Sequence, residues 1–492
     1  MLFKNVNKLT EKNEKKFFIE KINIINELVK KYCLKENIDF NAVVADEDRV
    51  FAELVKIGFI ENKEDIGTAR KILGREFDVL RKSLTIYSQQ NWQFLNKFYN
   101  SYRQEEQTKS SKSDKPKIID LFCGAGGFSL GFIQEGYKVE LANDIEPVAL
   151  ETYKYNHPDI STDKILSGDI KEIVNNIDNH VDTDIDVIIG GPPCQSFSSA
   201  NQQRVIDDPR NVLYTYYVKA VEKIQPKFVL MENVRGMIKV ADQVVEDFNR
   251  IGYDVEYRLF DSSEFSVAQK RVRLLYIGVN RVYAKKHNIT PSQLMKEVES
   301  EIKNKPRYVL KDALENIKPL ECPTIKNTTE IDCELSGKKI DINIYKNKSN
   351  DYMKLVNNNK EFDFTFNHKA RYQNENNIKI YKTLQQGADS TCESIKDIMP
   401  YSHRNHVFKD KYFKLIENEP SRTITAHMKM DCHSHIHPSQ TRSLTPREAA
   451  RVQSFPDDYI FMGAYLKTYM QIGNAVPPLM SQVFAKIFKN NL

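Results

Sequence analysis

From Ile118 onward, short apolar runs alternate with stretches that have helical periodicity. The run IIDLF at 118–122 is followed by the glycine turn CGAGG and then by an apolar-periodic segment. Further runs of the same kind are YKVELAND, DIDVIIGG, PKFVLMENV and VRLLYIGVN. Strands that alternate with helices predict a mostly parallel sheet with helices on both faces. We therefore expect an α/β fold whose ligands bind beyond the carboxyl ends of the strands.

The rest of the chain lacks this alternation. With 492 residues the chain exceeds the usual size of one compact core, so two or three domains are expected. Apolar residues before the alternating region recur at spacings of three and four, as at Ile22, Ile25 and Leu28, which predicts helices. The predicted segments are a helical extension (1–105), a linker (106–117), the alternating domain (118–280), a second domain (281–440) and a return to the alternating domain (441–492).

The composition and the N-terminal sequence indicate which cellular compartment and which binding partners to expect. Hydrophobic residues make up 40% and charged residues 28%, as in globular proteins, and no run of eighteen apolar residues occurs. The N-terminus lacks the pattern of a signal peptide, so we expect a cytoplasmic protein that does not bind membranes. The seven cysteines form no CxxC pair, so we expect free thiols, any of which could be a nucleophile. A net charge of +5 is compatible with a polyanionic partner but does not establish one.

The glycine turn DLFCGAGGFSLGF, residues 120–132, predicts a site for a nucleotide-like cofactor. Glycines after a strand let the backbone approach a ligand closely, and the following helix N-terminus favours polar groups. A dinucleotide fingerprint requires a third glycine where Ser129 stands, which argues against an NAD-dependent dehydrogenase. Asp144 ends the next predicted strand, where an acidic residue that binds ribose is expected.

Three further motifs carry reactive or charged side chains. In GGPPCQSFS, residues 190–198, two prolines hold Cys194 at the edge of the sheet, where a thiolate could attack an electron-poor carbon. In MENV, residues 231–234, Glu232 stands at the end of a predicted strand. In QKRVRLLYIG, Arg271 and Arg273 alternate, which predicts that they face one side of a strand. Near the C-terminus, QIGNAVPPLM indicates a sharp turn before a final helix.

Together with TPREAARVQSFPDDY, these motifs resemble, in order, those of the cytosine-5 DNA methyltransferases. The resemblance covers residues 118–492 and is greatest to bacterial members, including those of restriction–modification systems. It implies a Rossmann-like SAM-dependent methyltransferase fold with a mostly parallel sheet, in which 281–440 would be a smaller, variable target-recognition domain. Residues 1–117 lie outside it.

The resemblance also implies catalytic roles. Cys194 would attack C6 of a cytosine that has been flipped out of the duplex, and C5 would then accept the methyl group. Glu232 would protonate or hydrogen-bond N3, so that charge does not accumulate on the ring. Arg273, and less directly Arg271, would hold the side of the base that faces the cysteine, and the oxygen of the base, in place.

By the same resemblance the cofactor would be S-adenosylmethionine, with S-adenosylhomocysteine as product. Asp144 replaces a frequent Glu that binds the ribose hydroxyls, and Ile145 replaces a frequent aromatic residue, so stacking on adenine would be weaker. The remaining implied contacts are Phe122, Gly124 and Gly126 in the first loop, Asp169 and Ile170 at the adenine, and Pro193, Asn474 and Val476 at the methionine end.

The implied partner is double-stranded DNA, methylated by a monomer, with a cognate restriction endonuclease acting separately. Basic residues of the variable region are candidate DNA contacts, namely Arg371, Arg404, Arg422 and Lys429. Two alternatives stay open: methylation of RNA cytosine, and a regulator that binds DNA and S-adenosylmethionine without catalysis. For the helical extension we hypothesise support of DNA engagement, although no clear helix-turn-helix signature is present.

A tract rich in histidine invites a metal interpretation. Its candidate ligands are His427, Cys432, His433, His435 and His437. Their spacing fits no four-ligand zinc pattern, and the alternation of the last three histidines suggests one face of a strand. We therefore expect no metal site.

Overall fold

The computed structural model describes residues 3–89, 115–193, 213–326, 330–343, 350–400 and 411–492. These residues form two compact units. The first comprises the described part of Met1–Asp114 together with Glu151–Ile165 and Ile340–Ile342. The second comprises Lys115–Leu150, Leu166–Lys339 and Asn343–Leu492 within the described ranges. No helix in the described part of the chain is both long and apolar enough to cross a bilayer.

The N-terminal part of the first unit is helical, as predicted. Its α-helices are α1 (Lys12–Lys35), α2 (Glu47–Lys56), α3 (Asp65–Leu73) and α4 (Arg75–Gln89). Asp46 caps α2 by accepting a hydrogen bond from the backbone of Arg49, and Gly74 ends α3 with a positive φ of 56°. The stretches between these helices are residues 36–46, residues 57–64 and Gly74 alone. Within residues 3–89, therefore, no two α-helices are joined by the three- or four-residue turn of a helix-turn-helix.

Two buried polar contacts stabilise the first unit. The amide of Asn26 donates to the Glu76 carboxylate at 3.2 Å and accepts from the Ser83 hydroxyl at 3.1 Å. The Lys21 ammonium lies 2.6 Å from the Glu151 carboxylate, and only 9% and 16% of these two side chains are exposed. Burial raises the pKa of Glu151, but Lys21 and Lys154 outweigh it and hold that pKa below its ordinary value.

The second unit is built on a seven-stranded sheet, which confirms the predicted α/β fold. The strand order is β3-β2-β1-β4-β5-β7-β6. The strands are β1 (Lys117–Leu121), β2 (Lys138–Asp144), β3 (Ile165–Ser167), β4 (Val187–Gly190), β5 (Phe228–Val234), β6 (Tyr253–Asp261) and β7 (Val272–Asn280). Strand β1 is parallel to β2 and β4, and β4 is parallel to β5. The continuous apolar runs follow from this arrangement, because a parallel sheet is buried on both faces.

Strand β7 departs from the expected pattern. It runs antiparallel to both β5 and β6, and neither β6 nor the short β3 was predicted. The motif QKRVRLLYIG therefore lies at the start of a strand, whereas the glycine turn, the proline loop and MENV lie at the carboxyl ends of theirs. Because β7 is reversed, its start lies at the same edge as the carboxyl ends of the parallel strands.

Helices flank the sheet, and further short helices lie in the predicted recognition region. Those of the alternating region are α5 (Gly127–Gln134), α6 (Pro147–Asn156), α7 (Ile170–Asn175), α8 (Leu213–Ile224) and α9 (Ala241–Arg250). The remainder are α10 (Arg281–His287), α11 (Pro291–Lys303), α12 (Leu310–Leu314), α13 (Asp351–Val356), α14 (Glu375–Thr383), α15 (Pro446–Val452), α16 (Tyr465–Asn474) and α17 (Pro478–Asn490). A two-stranded sheet adds β8 (Gly337–Ile342) and β9 (Phe364–Lys369). The predicted domain boundaries at residues 280 and 440 stay predictions.

Candidate active site

A cleft of about 1220 Å³ opens in the second unit at the carboxyl edge of the parallel strands. Twelve of the predicted site residues line it: Phe122, Gly124, Asp144, Ile145, Asp169, Ile170, Pro193, Glu232, Arg271, Arg273, Asn474 and Val476. Gly126 is absent from the lining and instead precedes α5 in the left-handed conformation, with a φ of 89°. Cys194 and Arg404 lie outside the described residues.

The Asp144 carboxylate orders the glycine turn. One of its oxygens accepts from the backbone N–H of Gly124 at 2.8 Å, and the other accepts from that of Glu146 at 2.8 Å. Burial raises the pKa of Asp144 even though these backbone hydrogen bonds oppose the shift. Gly124 itself has a φ of 54°, a conformation that glycine adopts without strain. The side chain predicted to bind a ribose therefore also shapes the loop beside it.

Burial also raises the pKa of two further ionisable groups of the glycine turn. Burial raises the pKa of Asp120 to about 7, while a hydrogen bond from the Ser129 hydroxyl opposes the shift. Burial, with the nearby Asp120 and Asp144, raises the pKa of Cys123 well above its ordinary value. Cys123 lines the cleft but stays a thiol, so it is a poor nucleophile.

An ion pair joins the two predicted charged motifs. The Nε of Arg273 lies 2.8 Å from Oε1 of Glu232, with 15% and 12% of the side chains exposed. The pairing of β5 with β7 sets Arg273 opposite Val234, so that Arg273 and Glu232 are diagonal neighbours on one face. Burial lowers the pKa of Arg273, and Glu232 opposes that shift.

Asn233 ties the proline loop to the same strand. Its side-chain amide donates to the carbonyl of Pro192 at 2.9 Å. Pro192 and Pro193 both line the cleft. The backbone that leads to Cys194 is thus attached beside Glu232. Asn233 belongs to the motif MENV, but the motif alone did not predict this link.

Arg271 has different partners from Arg273. Its Nη1 donates to the carbonyl of Ile424 at 2.9 Å, and its Nη2 donates to the carbonyl of Gly473 at 3.1 Å. Burial lowers the pKa of Arg271 well below its ordinary value, and repulsion from Arg273 adds to the shift. These contacts make Arg271 a tether between two segments of backbone.

The motif TPREAARVQSFPDDY supplies buried charges that the sequence analysis did not recognise. The guanidinium of Arg442 and the carboxylate of Glu448 form two hydrogen bonds, at 2.7 and 2.6 Å, and both side chains are fully buried. The fully buried Arg447 donates to the carbonyl of Phe366 at 2.8 Å and to that of Pro456 at 3.0 Å. The bond from Arg447 to Phe366 joins the predicted recognition region to α15.

The Tyr459 hydroxyl reaches the glycine turn, where it donates to the carbonyl of Ala125. Burial raises the pKa of Tyr459 well above its ordinary value, so the hydroxyl stays a donor. The last residue of TPREAARVQSFPDDY therefore supports the loop that DLFCGAGGFSLGF forms.

The described basic candidates for DNA contact differ in how they are held. Arg371 donates to the carbonyl of Met428 at 2.8 Å and to that of Met430 at 2.7 Å. The guanidinium of Arg422 lies 4.5 Å from the centre of the Phe413 ring. Arg371 thus holds the backbone at Met428 and Met430 in place. Its identity as a basic residue in a predicted loop did not indicate this role.

The histidines of the tract are not arranged along a strand, and His435 and His437 are buried. His433–His435 form a short 3-10 helix, so the interpretation as one strand face is wrong. His433 bonds the Tyr381 hydroxyl at 2.7 Å, and His435 bonds the carbonyl of Thr423 at 3.2 Å. Burial lowers the pKa of both histidines to about 4. Among the residues that the structure describes, no group of three or more His, Cys, Asp or Glu is placed to hold a metal ion.

Comparisons with known proteins agree with this geometry. Residues 116–490 match the family described as C-5 cytosine-specific DNA methylase. The type II methyltransferase M.AgeI of Thalassovita gelatinovora is 31% identical over 431 residues, which cover 76% of this chain and 99% of that protein. The type II methyltransferase M1.HphI of Haemophilus parahaemolyticus is 32% identical over 377 residues, covering 75% of this chain and 85% of that protein.

A solved structure shows the same fold. It is a putative DNA modification methyltransferase encoded within a prophage (E. coli), with a TM-score of 0.58 and 24% identity. The match covers 76% of this chain and 99% of that one. On the family match and the two methyltransferase relatives, this chain belongs to the C-5 cytosine-specific DNA methylases.

Proposed function

We propose that the protein transfers a methyl group from S-adenosylmethionine to C5 of a cytosine in double-stranded DNA and releases S-adenosylhomocysteine. The observation that carries the proposal is that the Glu232–Arg273 pair and the glycine turn line one cleft. Methyl transfer would need two things in one cleft. One is a polar pair that can bind the base, and the other is a loop that can bind a nucleotide-like cofactor.

The residues of the cleft fit the cofactor. S-adenosylmethionine would supply an electrophilic methyl group carried on a sulfonium. Asp144 would accept from the ribose hydroxyls, and Asp169, whose other contact is the backbone N–H of Lys171 at 2.9 Å, would accept from the adenine amino group. Ile145, 70% exposed and part of the lining, offers the apolar surface that an adenine ring would cover. The remaining contacts would be Phe122, Gly124 and Ile170, with Pro193, Asn474 and Val476 at the methionine end.

The chain's own residues would activate the base. The Cys194 thiolate would add to C6, which ends the aromaticity of the ring and makes C5 an enamine-like nucleophile. Glu232, held by Arg273, would hydrogen-bond or protonate N3, so that negative charge does not build up on the ring. Once C5 carries the methyl group, loss of the C5 proton and of the Cys194 sulfur would restore the ring. Arg271 would act less directly, by holding backbone that lines the cleft.

Access to the cytosine would require its rotation out of the duplex, since C5 and C6 are stacked inside it. The unstacking energy, a few kcal/mol, would be offset by contacts in the cleft. Since the relatives are type II methyltransferases, we propose that the protein protects one DNA sequence from a cognate endonuclease that acts separately. We further propose that it acts as a monomer in the cytoplasm, where bacterial DNA lies.

The test uses tritiated S-adenosylmethionine and genomic DNA fragments substituted with 5-fluorocytosine. Fluorine at C5 cannot leave as a proton does, so the adduct with the enzyme should be trapped. We expect a labelled, denaturant-stable complex with wild-type protein and with Cys333→Ser, which alters an exposed thiol. Cys194→Ser should form none.

Two other outcomes would replace the proposal. A complex with fluoropyrimidine-substituted RNA in place of DNA would make the protein an RNA methyltransferase. Binding of both S-adenosylmethionine and DNA without any complex would favour a regulator that does not catalyse methyl transfer.

A further inference from the structure

Two buried glutamine side chains connect distant segments of the second unit. Gln269 and Gln453 are both fully buried. The Nε2 of Gln269 donates to Oε1 of Gln453 at 2.6 Å, and its Oε1 accepts from the backbone N–H of Ile424 at 2.6 Å. The Nε2 of Gln453 then donates to the carbonyl of Ile472 at 2.8 Å. All three hydrogen bonds run in one direction, so neither amide can reverse without losing its partners.

Arg271 closes this series of hydrogen bonds into a ring. It donates to the carbonyl of Ile424 and to that of Gly473, so the peptide groups on both sides of Ile424 are held. Gly473 itself lies against Thr425, since a Cβ on Gly473 would lie 2.1 Å from the carbonyl carbon of Thr425. We call the three side chains of Gln269, Arg271 and Gln453 the clamp.

The clamp joins two walls of the cleft. Thr423, Thr425 and His427 line the cleft from a loop of the predicted recognition region, which we call the recognition-side loop (421–427). Asn474 and Val476 line it from the end of α16 and the residues that follow, which we call the cofactor-side turn (472–476). Under the proposed function, the first wall would face DNA and the second would face the cofactor.

We propose that Gln453 is a positioning residue that, through Gln269, holds the recognition-side loop and the cofactor-side turn as one unit. The proposal rests on the proposed function for the identity of the two ligands. Gln453 does not line the cleft itself, and it acts by bonding Gln269 on one side and the turn on the other. Its loss should therefore weaken binding on both walls together.

The direction of the hydrogen bonds makes Gln453→Glu a sharp test. A carboxylate at this position could still accept from Gln269, but its second oxygen would face the carbonyls of Ile472 and Ala475, which lie 2.8 and 3.4 Å from Nε2 of Gln453. Burial raises the pKa of such a carboxyl, and its protonated form can again donate to these carbonyls. The defect should therefore be present at high pH and diminish at lower pH.

The experiment measures methyl transfer at pH 8 and pH 6, with KM for S-adenosylmethionine and for DNA, in the full-length protein. For Gln453→Glu at pH 8 we expect both KM values to rise about tenfold, as for the loss of one or two buried hydrogen bonds. At pH 6 the ratio of variant to wild-type kcat/KM should recover. Gln453→Met, similar in size but unable to hydrogen-bond, should show both increases at both pH values.

Gln373→Glu is the matched control, because Gln373 is a buried glutamine whose Oε1 accepts from Asn377 at 2.8 Å, away from the clamp. It should keep both wild-type KM values. The proposal would be overturned if Gln453→Glu raised only one of the two KM values. It would also be overturned if Gln453→Glu and Gln453→Met lost kcat/KM equally at both pH values. If Gln453→Glu does not fold, Gln453→Met decides, and two wild-type KM values would overturn the proposal. Absence of methyl transfer by wild-type protein would overturn the proposed function instead, and direct binding constants for both ligands would then test the clamp.

Discussion

The guanidinium of Arg273 and the carboxylate of Glu232 form an ion pair at 2.8 Å, largely withdrawn from water. Removing one partner of such a pair leaves the other charge uncompensated. We predict that Arg273→Met lowers kcat for methyl transfer at least about a hundredfold, the usual effect of losing a preorganised charge contact at a reacting centre. Incorporation of tritiated methyl groups into DNA measures this.

Two variants show whether geometry or charge matters at Arg273. Arg273→Lys keeps the positive charge without the planar donors and should give an intermediate rate. Arg250→Met removes a 62% exposed arginine from α9 and should keep the wild-type rate. Wild-type kcat in Arg273→Met would show that the pair has no part in catalysis.

Asp144→Asn should weaken cofactor binding. The single amide oxygen of the substituted side chain could accept from the backbone N–H of either Gly124 or Glu146, but not from both. The NH₂ group would face the other backbone N–H, so that hydrogen bond would be lost. We expect the Kd for S-adenosylmethionine to rise about tenfold, which corresponds to one lost buried hydrogen bond. Isothermal titration calorimetry checks this, with Asp178→Asn as a control at a side chain that is 70% exposed. Equal affinity of Asp144→Asn and wild type would contradict the role of this carboxylate.

The buried His435 should make the protein less stable in acid. Burial lowers its pKa from 6.5 to about 4, so on unfolding it takes up a proton at any pH between these values. Its contribution to the free energy of unfolding is present above pH 6.5 and is lost towards pH 4, by up to about 1.4 kcal/mol per pH unit. His435→Gln should therefore lose stability less steeply than wild type over that range.

Urea unfolding at pH 7.5, 6.5, 5.5 and 4.5 measures the two slopes. Asp120 acts in the opposite sense, because burial raises its pKa to about 7 and the folded state takes up its proton first. The comparison therefore uses the difference between variant and wild type, in which Asp120 cancels. Parallel curves below pH 6.5 would contradict the prediction.

Lys21→Met should destabilise the first unit. It leaves the Glu151 carboxylate, of which 16% is exposed, with Lys154 at 3.3 Å as its remaining cation. We expect a loss of about 2 kcal/mol in the free energy of unfolding, below the usual effect of breaking a buried pair because Lys154 remains. Lys30→Met removes an exposed pair with Glu27 and should cost less than about 1 kcal/mol. Equal melting temperatures for the two variants would argue against the prediction.

Local patterns were sufficient to predict five of the seven strands of the main sheet, and the family resemblance supplied twelve of the residues that line the cleft. The runs that contain Ile118 and Phe228 are apolar because both faces of the sheet are covered, and strand ends must then meet at one edge. The pairing of Glu232 with Arg273 could not be predicted in the same way. It requires that β7 run antiparallel beside β5, and no local pattern specifies the direction of a strand.

Residues whose burial depends on distant partners were missed. Arg447 and Glu448 belong to residue types that are rarely fully buried, and their partners lie elsewhere in the fold. Arg371 stays a predicted DNA contact, but nothing in the sequence shows that it also donates to two backbone carbonyls. The glutamines of the clamp were overlooked for the same reason, since the contact of Gln269 with Gln453 spans 184 positions.

The reversal of β7 has a consequence for how this enzyme can vary. The alignment of Arg273 with Glu232 depends on the ladder between β5 and β7 and not on the length of chain that joins them. Insertions in the connections between β5, α9 and β6 can therefore accumulate without moving the pair. A slip of one residue in the ladder would instead turn Arg273 to the opposite face of the sheet. The connection between β5 and β7 can therefore tolerate insertions, whereas the ladder that pairs these two strands cannot tolerate a shift of register.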